Sequence, residues 1–190
     1  HMLDMFSTDP THATRSQADV DLKQRYTYCE PALIRRVPYG EIFDPLNTLP
    51  AGVELACSFG GLQKALFGTD TILSKHPLVF SDGRAVPNSY SSHHASNVRL
   101  ADVSAVLLHY KFLDGFREKA RQAAADKIYP TDRYSNIDRA YERGVDFETA
   151  TANARRLERT ADLLDDGVVV ASDRFRDWAR DQAAAGKEAT

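Results

Sequence analysis

Apolar positions along this chain fall into short, separated runs, and the runs change character a little past the middle. Leu3-Asp4-Met5-Phe6 predicts a strand end, followed by a polar, loop-like stretch to about Asp21. Tyr26-Thr27-Tyr28 predicts a short strand, and Pro31 opens a brief helix through Arg36. Pro38, Gly40, Pro45 and Pro50 then exclude long regular structure. Val53 to Phe59 alternates as a strand does and ends in Gly60-Gly61; Leu62 to Phe67 follows as a helical piece stopped by Gly68. Ile72 to Phe80 predicts a strand broken at Pro77, which places it at an edge or bulge. A turn at 81–84 and a polar loop at 88–97 come next.

Ser104 to Leu113 is the strongest strand signal, and Asp114 is placed to cap a helix over Phe116 to Ala125, rich in strong helix formers. Arg133 to Arg143 predicts a helix closed by Gly144. Phe147 to Leu164 predicts the longest helix, because Ala154, Leu157, Ala161 and Leu164 recur at helical spacing. Val168 to Ala171 predicts an extended link, and Ser172 or Asp173 a cap for a last helix through Trp178. Strands therefore dominate the first 110 residues and helices the rest. That order predicts an α+β fold, or a piece of a larger α/β sheet, with a mixed sheet followed by C-terminal helices. The expected divisions are 1–2, a tag-like remnant (His1-Met2) set aside from the fold; 3–113, strand-rich; 114–182, helical; and 183–190, a frayed tail.

Composition narrows the class without naming a function. A chain of 190 residues, 43% apolar and 27% charged, is long enough to bury a real core. Its net charge of −3 argues against a nucleic-acid binder that works by neutralising phosphates. No apolar run approaches the roughly 18 to 20 residues of a membrane span. Cys29 and Cys57 show no CxxC spacing and are expected to be reduced thiols, which suits a cytoplasmic protein.

The candidate chemistry centres on His109. In a strand, His109, Lys111 and Leu113 share one face, and two readings stand: an imidazole that ligates a divalent ion beside a lysine that meets anionic oxygen, or the solvated face of an edge strand. His93 and His94 are neighbours whose side chains point apart, so at most one can join His109. His76 is expected to be structural. Asp19-Val20-Asp21 has the two-carboxylate form that holds magnesium or manganese, but follows no apolar strand. Asp165-Asp166 is a helix stop. Gly60-Gly61 with Lys64 matches neither GxxxxGK[ST] nor GxGxxG.

Taken in order, Leu3-Asp4-Met5-Phe6, Gly60-Gly61-Leu62-Gln63-Lys64-Ala65-Leu66-Phe67-Gly68, Leu73-Ser74-Lys75-His76-Pro77-Leu78-Val79, Ser91-Ser92-His93 and Leu107-Leu108-His109-Tyr110-Lys111-Phe112 form a series. It resembles the C-terminal portion of bacterial family 2-like glycosyltransferases of the A-type fold, whose elements run LDMY, GGxRxRxFG, LSKxPLV, SxH and LLHFKF. The resemblance spans Leu3 to Phe116, the helical remainder matching only loosely. Gln63 departs from it where the pattern has arginine, and Phe80-Ser81-Asp82-Gly83 replaces a basic aromatic segment.

The resemblance implies an acceptor-side part of an enzyme that moves a sugar from a nucleotide diphospho-sugar to an acceptor hydroxyl. The donor-binding half and its metal-holding aspartates would precede the LDMY element, and this chain alone would be inactive. It further implies Gly60, Gly61, Lys75, His93 and Lys111 as substrate contacts. His109 would ligate a manganese or magnesium ion that is present only with the donor half, and the general base is not identified. The expected location is cytoplasmic, with peripheral attachment at the inner membrane face as a variant, and a sheet cut from its other half would self-associate through an exposed edge. The alternative is a non-catalytic carbohydrate- or protein-binding module; a self-contained hydrolase is a third reading.

Overall fold

The computed structural model describes residues 1–7, 21–43, 45–76, 79–80, 83–87, 93–113, 115–128, 132–145, 147–159 and 161–188. Asp19, Pro77, Ser91, Ser92 and the expected cap Asp114 lie outside them. The described elements are, in order, β1 (Met2–Asp4), α1 (Leu22–Arg25), β2 (Tyr28–Cys29), a 3-10 turn (Pro31–Leu33), β3 (Ile34–Pro38), α2 (Tyr39–Ile42), β4 (Ala56–Gly60), α3 (Gly61–Phe67), β5 (Val86–Pro87), β6 (Ala95–Ser96), β7 (Leu107–His109), α4 (Phe116–Ala125), α5 (Arg133–Glu142), α6 (Phe147–Ala150), β8 (Arg155–Arg156), α7 (Asp162–Asp165) and α8 (Asp173–Glu188).

The fold is α+β, but among the described residues the strands form four two-stranded sheets where one mixed sheet was expected. β1 pairs in parallel with β7, aligning Met2 with Leu107 and Asp4 with His109. β3 and β4 are antiparallel over five residues, and β5–β6 is a short antiparallel pair. β2 pairs with β8 from the far end of the sequence. His1 and Met2, set aside from the fold on sequence grounds, pair with it: the Leu107 N–H donates to the His1 carbonyl (2.7 Å), the Met2 N–H to the Leu73 carbonyl (2.7 Å), and Met2 is buried.

Among the described residues the core is divided into three clusters. Leu3, Met5, Tyr26, Cys29, Leu163 and Val168 form the first, between the β1–β7 pair and the C-terminal segment. Tyr39, Phe43 and Cys57 form the second, under β3–β4. In the third, Phe116 and Ala120 of α4 meet Ile137 of α5, with Phe67, Phe112, Tyr134 and Tyr141 around them. Each fully buried Leu or Ile contributes on the order of 1.5 to 3 kcal/mol. The two cysteines are free and buried in different clusters, and burial pushes the Cys57 thiol up to about 12.

Several local expectations give way to tertiary pairing. Residues after Leu33 extend as β3 instead of continuing a helix to Arg36, because Ile34 to Pro38 find a full register partner in β4. Of the expected Ile72–Phe80 strand, the described residues show one bridge, Phe59 to Ile72. The long helix over Phe147 to Leu164 does not form: α6 ends after four residues, with the Thr151 hydroxyl donating to the Phe147 carbonyl (2.8 Å), and the chain then extends as β8. Leu157 N–H donates to Thr27 (2.8 Å), so its side chain reaches the first core cluster from an extended backbone. At the other end α8 overruns its expected stop at Trp178 and takes in most of the supposed frayed tail, as the helix formers of 182–188 permit. Ser172 caps it, its hydroxyl oxygen accepting from Phe175 N–H (3.1 Å). Among the described residues no helix is long and apolar enough to cross a membrane.

Candidate functional site

The parallel register of β1 and β7 builds the centre of the site. Asp4 and His109, 105 residues apart in sequence, become cross-strand partners, and His109 Nδ1 lies 2.8 Å from Asp4 Oδ1. A carboxylate can only accept there, so Nδ1 carries the proton and Nε2 of the neutral ring bears the lone pair. Asp4 is buried (7% exposed), whereas His109 is one-third exposed. The pair therefore presents a fixed imidazole from a rigid floor. β7 ends at His109, and past this residue strict alternation lapses, so His109, Tyr110, Lys111 and Leu113 all line one cavity.

That cavity has a volume of about 700 Å³, and its wall also includes Lys75, His93, Lys119 and Arg133. Lys75 and His93 arrive on two loops tied to each other. His93 Nδ1 donates to the Ser74 carbonyl (2.6 Å), and His76 Nδ1 donates to the His93 carbonyl (3.2 Å). The Tyr39 hydroxyl donates to His76 Nε2 (2.7 Å), and Asn47 Nδ2 donates to both the Tyr39 hydroxyl (3.2 Å) and the Ala95 carbonyl (3.0 Å). His76 is thus a structural link, as expected, and what it holds in place is His93.

Burial lowers the His76 and His93 pKa values below the ordinary histidine value, so the folded protein favours both rings neutral. Below about pH 6.5 the unfolded chain takes up protons that the folded chain resists, so stability is full above that pH and declines as pH falls through the depressed folded values. Thermal melts between about pH 7.5 and 5 are expected to show this decline. In His76→Gln the slope should be shallower; an equal slope would remove His76 from the account.

The floor beneath Lys111 comes from α3. Lys111 Nζ donates to Gln63 Oε1 (2.5 Å), and Arg133 Nη2, from the start of α5, donates to the same oxygen (2.6 Å). The amide orientation follows from charge, since the reverse would aim an NH2 at two cations. Gln63 is buried at 4% exposure, and neither its Nε2 nor Arg133 Nε has a hydrogen-bond partner among the described residues. Burial, and then the Arg133 charge, pull the Lys111 pKa down to about 8, while Asp4 opposes the shift. Among the described residues no Asp or Glu lines the cavity. Lys75, Lys111, Lys119 and Arg133 give it a strongly positive field in a protein of net charge −3.

Four residues singled out from sequence, Lys75, His93, His109 and Lys111, come together here. Gly60 and Gly61 do not line this cavity; they form the β4–α3 turn below it. A Cβ on Gly61 would lie 3.0 Å from Asp4 Oδ2 and 3.2 Å from Leu73 Cδ1, so the glycine makes room for the carboxylate that holds His109. Asp21 caps α1 by accepting from Lys23 N–H (2.9 Å). Lys64 pairs with Asp70 on the surface (3.0 Å). Asp4, Gln63, Lys119 and Arg133 were not singled out as site residues. The departure of Gln63 from the resemblance was the one sequence signal, and nothing local announced that α5 would return Arg133 to it.

The arrangement can present a basic imidazole nitrogen beside a field that attracts anionic oxygen. For a divalent ion, His109 has the ligating tautomer and the carboxylate partner that such histidines use. Among the described residues, however, no group of three or more His, Cys, Asp or Glu converges, and the cavity neighbours of His109 include several cations. These residues fit one position of a metal site, and oxygen ligands would have to come from a bound diphosphate or from other acidic groups. Comparisons of this chain with protein-family models, with curated proteins and with solved structures find no match.

Proposed function

We propose that this chain is the acceptor-side, C-terminal part of an enzyme of the A-type glycosyltransferase fold, transferring a sugar from a nucleotide diphospho-sugar to an acceptor hydroxyl. The observation that carries this reading is the convergence of Lys75, His93, His109 and Lys111, from three separate motifs of the resemblance, on one cavity. Its volume lies within the roughly 300 to 1,000 Å³ of small-molecule sites. A diphosphate leaving group needs positive charge nearby, which Lys75, Lys111, Lys119 and Arg133 provide.

In the transfer the acceptor oxygen bonds to the anomeric carbon as the bond from that carbon to the diphosphate oxygen breaks, and the diphosphate leaves with the electron pair. The hydroxyl proton must go to a base. His109 Nε2, with Asp4 behind the ring, would take it; the same lone pair is the one a metal would use, so His109 would serve one role or the other. A manganese or magnesium ion, brought in with a donor-binding half, would supply charge neutralisation on the diphosphate. The reading implies a cytoplasmic enzyme that works on nucleotide-activated sugars.

Calorimetric titration with several nucleotide diphospho-sugars, with and without manganese, tests it on this chain and on a longer form carrying a donor-binding half. Binding by the longer form, weakened about tenfold or more by His109→Ala, is the expected result. If the longer form binds none of these sugars while this chain binds free saccharides, the protein is a non-catalytic carbohydrate-binding module.

A further inference from the structure

We propose that Lys111 and Arg133, bridged by the amide oxygen of Gln63, form a subsite for a doubly charged tetrahedral oxyanion, the phosphate group of a substrate or a free phosphate ion. The inference deepens the sugar-transfer reading but stands on its own geometry. Two cations at 2.5 and 2.6 Å share a single neutral oxygen, so their positive charge is brought together and not cancelled. In a site meant only to be stable, a carboxylate would occupy that position, since like charges drawn together and desolvated are costly without a counter-charge. Arg133 Nε and Gln63 Nε2, buried donors without partners among the described residues, lie in the same cluster. Lys75 and Lys119 add charge from other parts of the wall. Asp4, whose charge is felt at Lys111, has Oδ1 committed to His109.

The number and geometry of donors favour a phosphate over a carboxylate. A guanidinium can meet two oxygens of a tetrahedral anion side by side while an ammonium meets a third as a point charge. Gln63 then acts as a spacer: it holds both cations at a set separation and, being neutral, yields them to an incoming dianion.

The test uses this chain at about pH 7, with calorimetry and thermal shift, and three probes: inorganic phosphate, uridine diphosphate and a hexose 6-phosphate. Wild type is expected to bind at least one of them, and the preferred probe identifies the source as a free ion, a donor diphosphate or a phosphorylated acceptor. Gln63→Glu places a carboxylate between the two cations and is expected to weaken every probe that binds by about tenfold or more, with a melting temperature equal to or above that of wild type. Should Gln63→Glu fail to fold, Arg133→Gln carries the same expectation for binding. Wild type that binds none of the probes, or a folded variant that binds as wild type does, overturns the subsite. Phosphate binding without any recognition of nucleotide diphospho-sugars by the longer form would sink the sugar-transfer reading and leave the subsite standing; donor binding indifferent to Gln63→Glu would do the reverse.

Discussion

Lys111→Met is expected to raise the melting temperature at neutral pH, and the gain should shrink as pH rises from about 8 toward 10.5. The reason is the burial of the Lys111 ammonium beside Arg133, which brings its pKa from the ordinary 10.5 down to about 8 in the folded protein. Between those values the unfolded chain binds the proton that the folded chain has released, so wild-type stability climbs with pH across that window. Below about 8 both states are protonated and the folded one carries the full penalty, on the order of 3 kcal/mol. Part of it is offset by the bond to Gln63 and by the ammonium lying 5.9 and 5.6 Å from the ring centres of Phe112 and Phe116. Methionine keeps the apolar stem and drops the charge, so a net gain of about 1 to 2 kcal/mol at pH 7 is expected, roughly 2 to 8 °C in melting temperature for a chain of this size. The check is a pair of melting curves for the two proteins over about pH 6.5 to 10. A difference that does not change with pH would show that the charge is not the cause. The same substitution should abolish phosphate binding, exchanging function for stability as polar sites commonly do.

Gly60→Ala should be the most damaging small substitution in the chain. Gly60 has φ +89° and ψ −102°, and a Cβ there would stand 3.0 Å from the Leu33 carbonyl oxygen, a backbone atom that cannot swing aside. Conformational strain of about 1 to 3 kcal/mol and a comparable steric cost add to roughly 3 kcal/mol or more, read as a drop of about 6 to 12 °C in the melting temperature. Gly52→Ala is the control: its φ is +77°, but nothing lies within 4 Å of the added Cβ, so strain alone remains. If the two variants melt together, the close approach at Gly60 has no energetic weight. Gly61→Ala tests a different consequence. Its Cβ would press on Asp4 Oδ2, so in addition to lost stability the Nδ1–H proton that His109 shares with Asp4 should shift or broaden in NMR spectra.

What could be read from sequence follows the range of the forces involved. Short-range signals were sufficient where an element is decided within its own turn. α3 begins within the glycine pair, at Gly61, and stops before Gly68, whose N–H bonds to the Lys64 carbonyl (2.9 Å). α5 ends close to its expected place before Gly144, and Ser172 caps α8. The same signals misled at 147–164, where apolar spacing suited a helix. Tyr28 and Cys29 offered backbone partners to Arg155 and Arg156, and that pairing prevailed. The Ser104–Leu113 strand shortened to three residues for a related reason: its partner β1 aligns with Leu107 to His109.

By itself the sequence determined the α+β class, the short helices bounded by their own caps and glycines, and the residue types able to do chemistry at His93, His109 and Lys111. Only the tertiary structure set Asp4 opposite His109 and drew Gln63 beneath both Lys111 and Arg133. Those contacts span 105, 48 and 70 residues. Separations of that size are closed by strand register and by the packing of α4 on α5, neither of which leaves a mark in any local window of sequence. The apolar run that carries His109 announced a reactive side chain; the carboxylate behind it and the uncancelled charge beside it are properties of the fold.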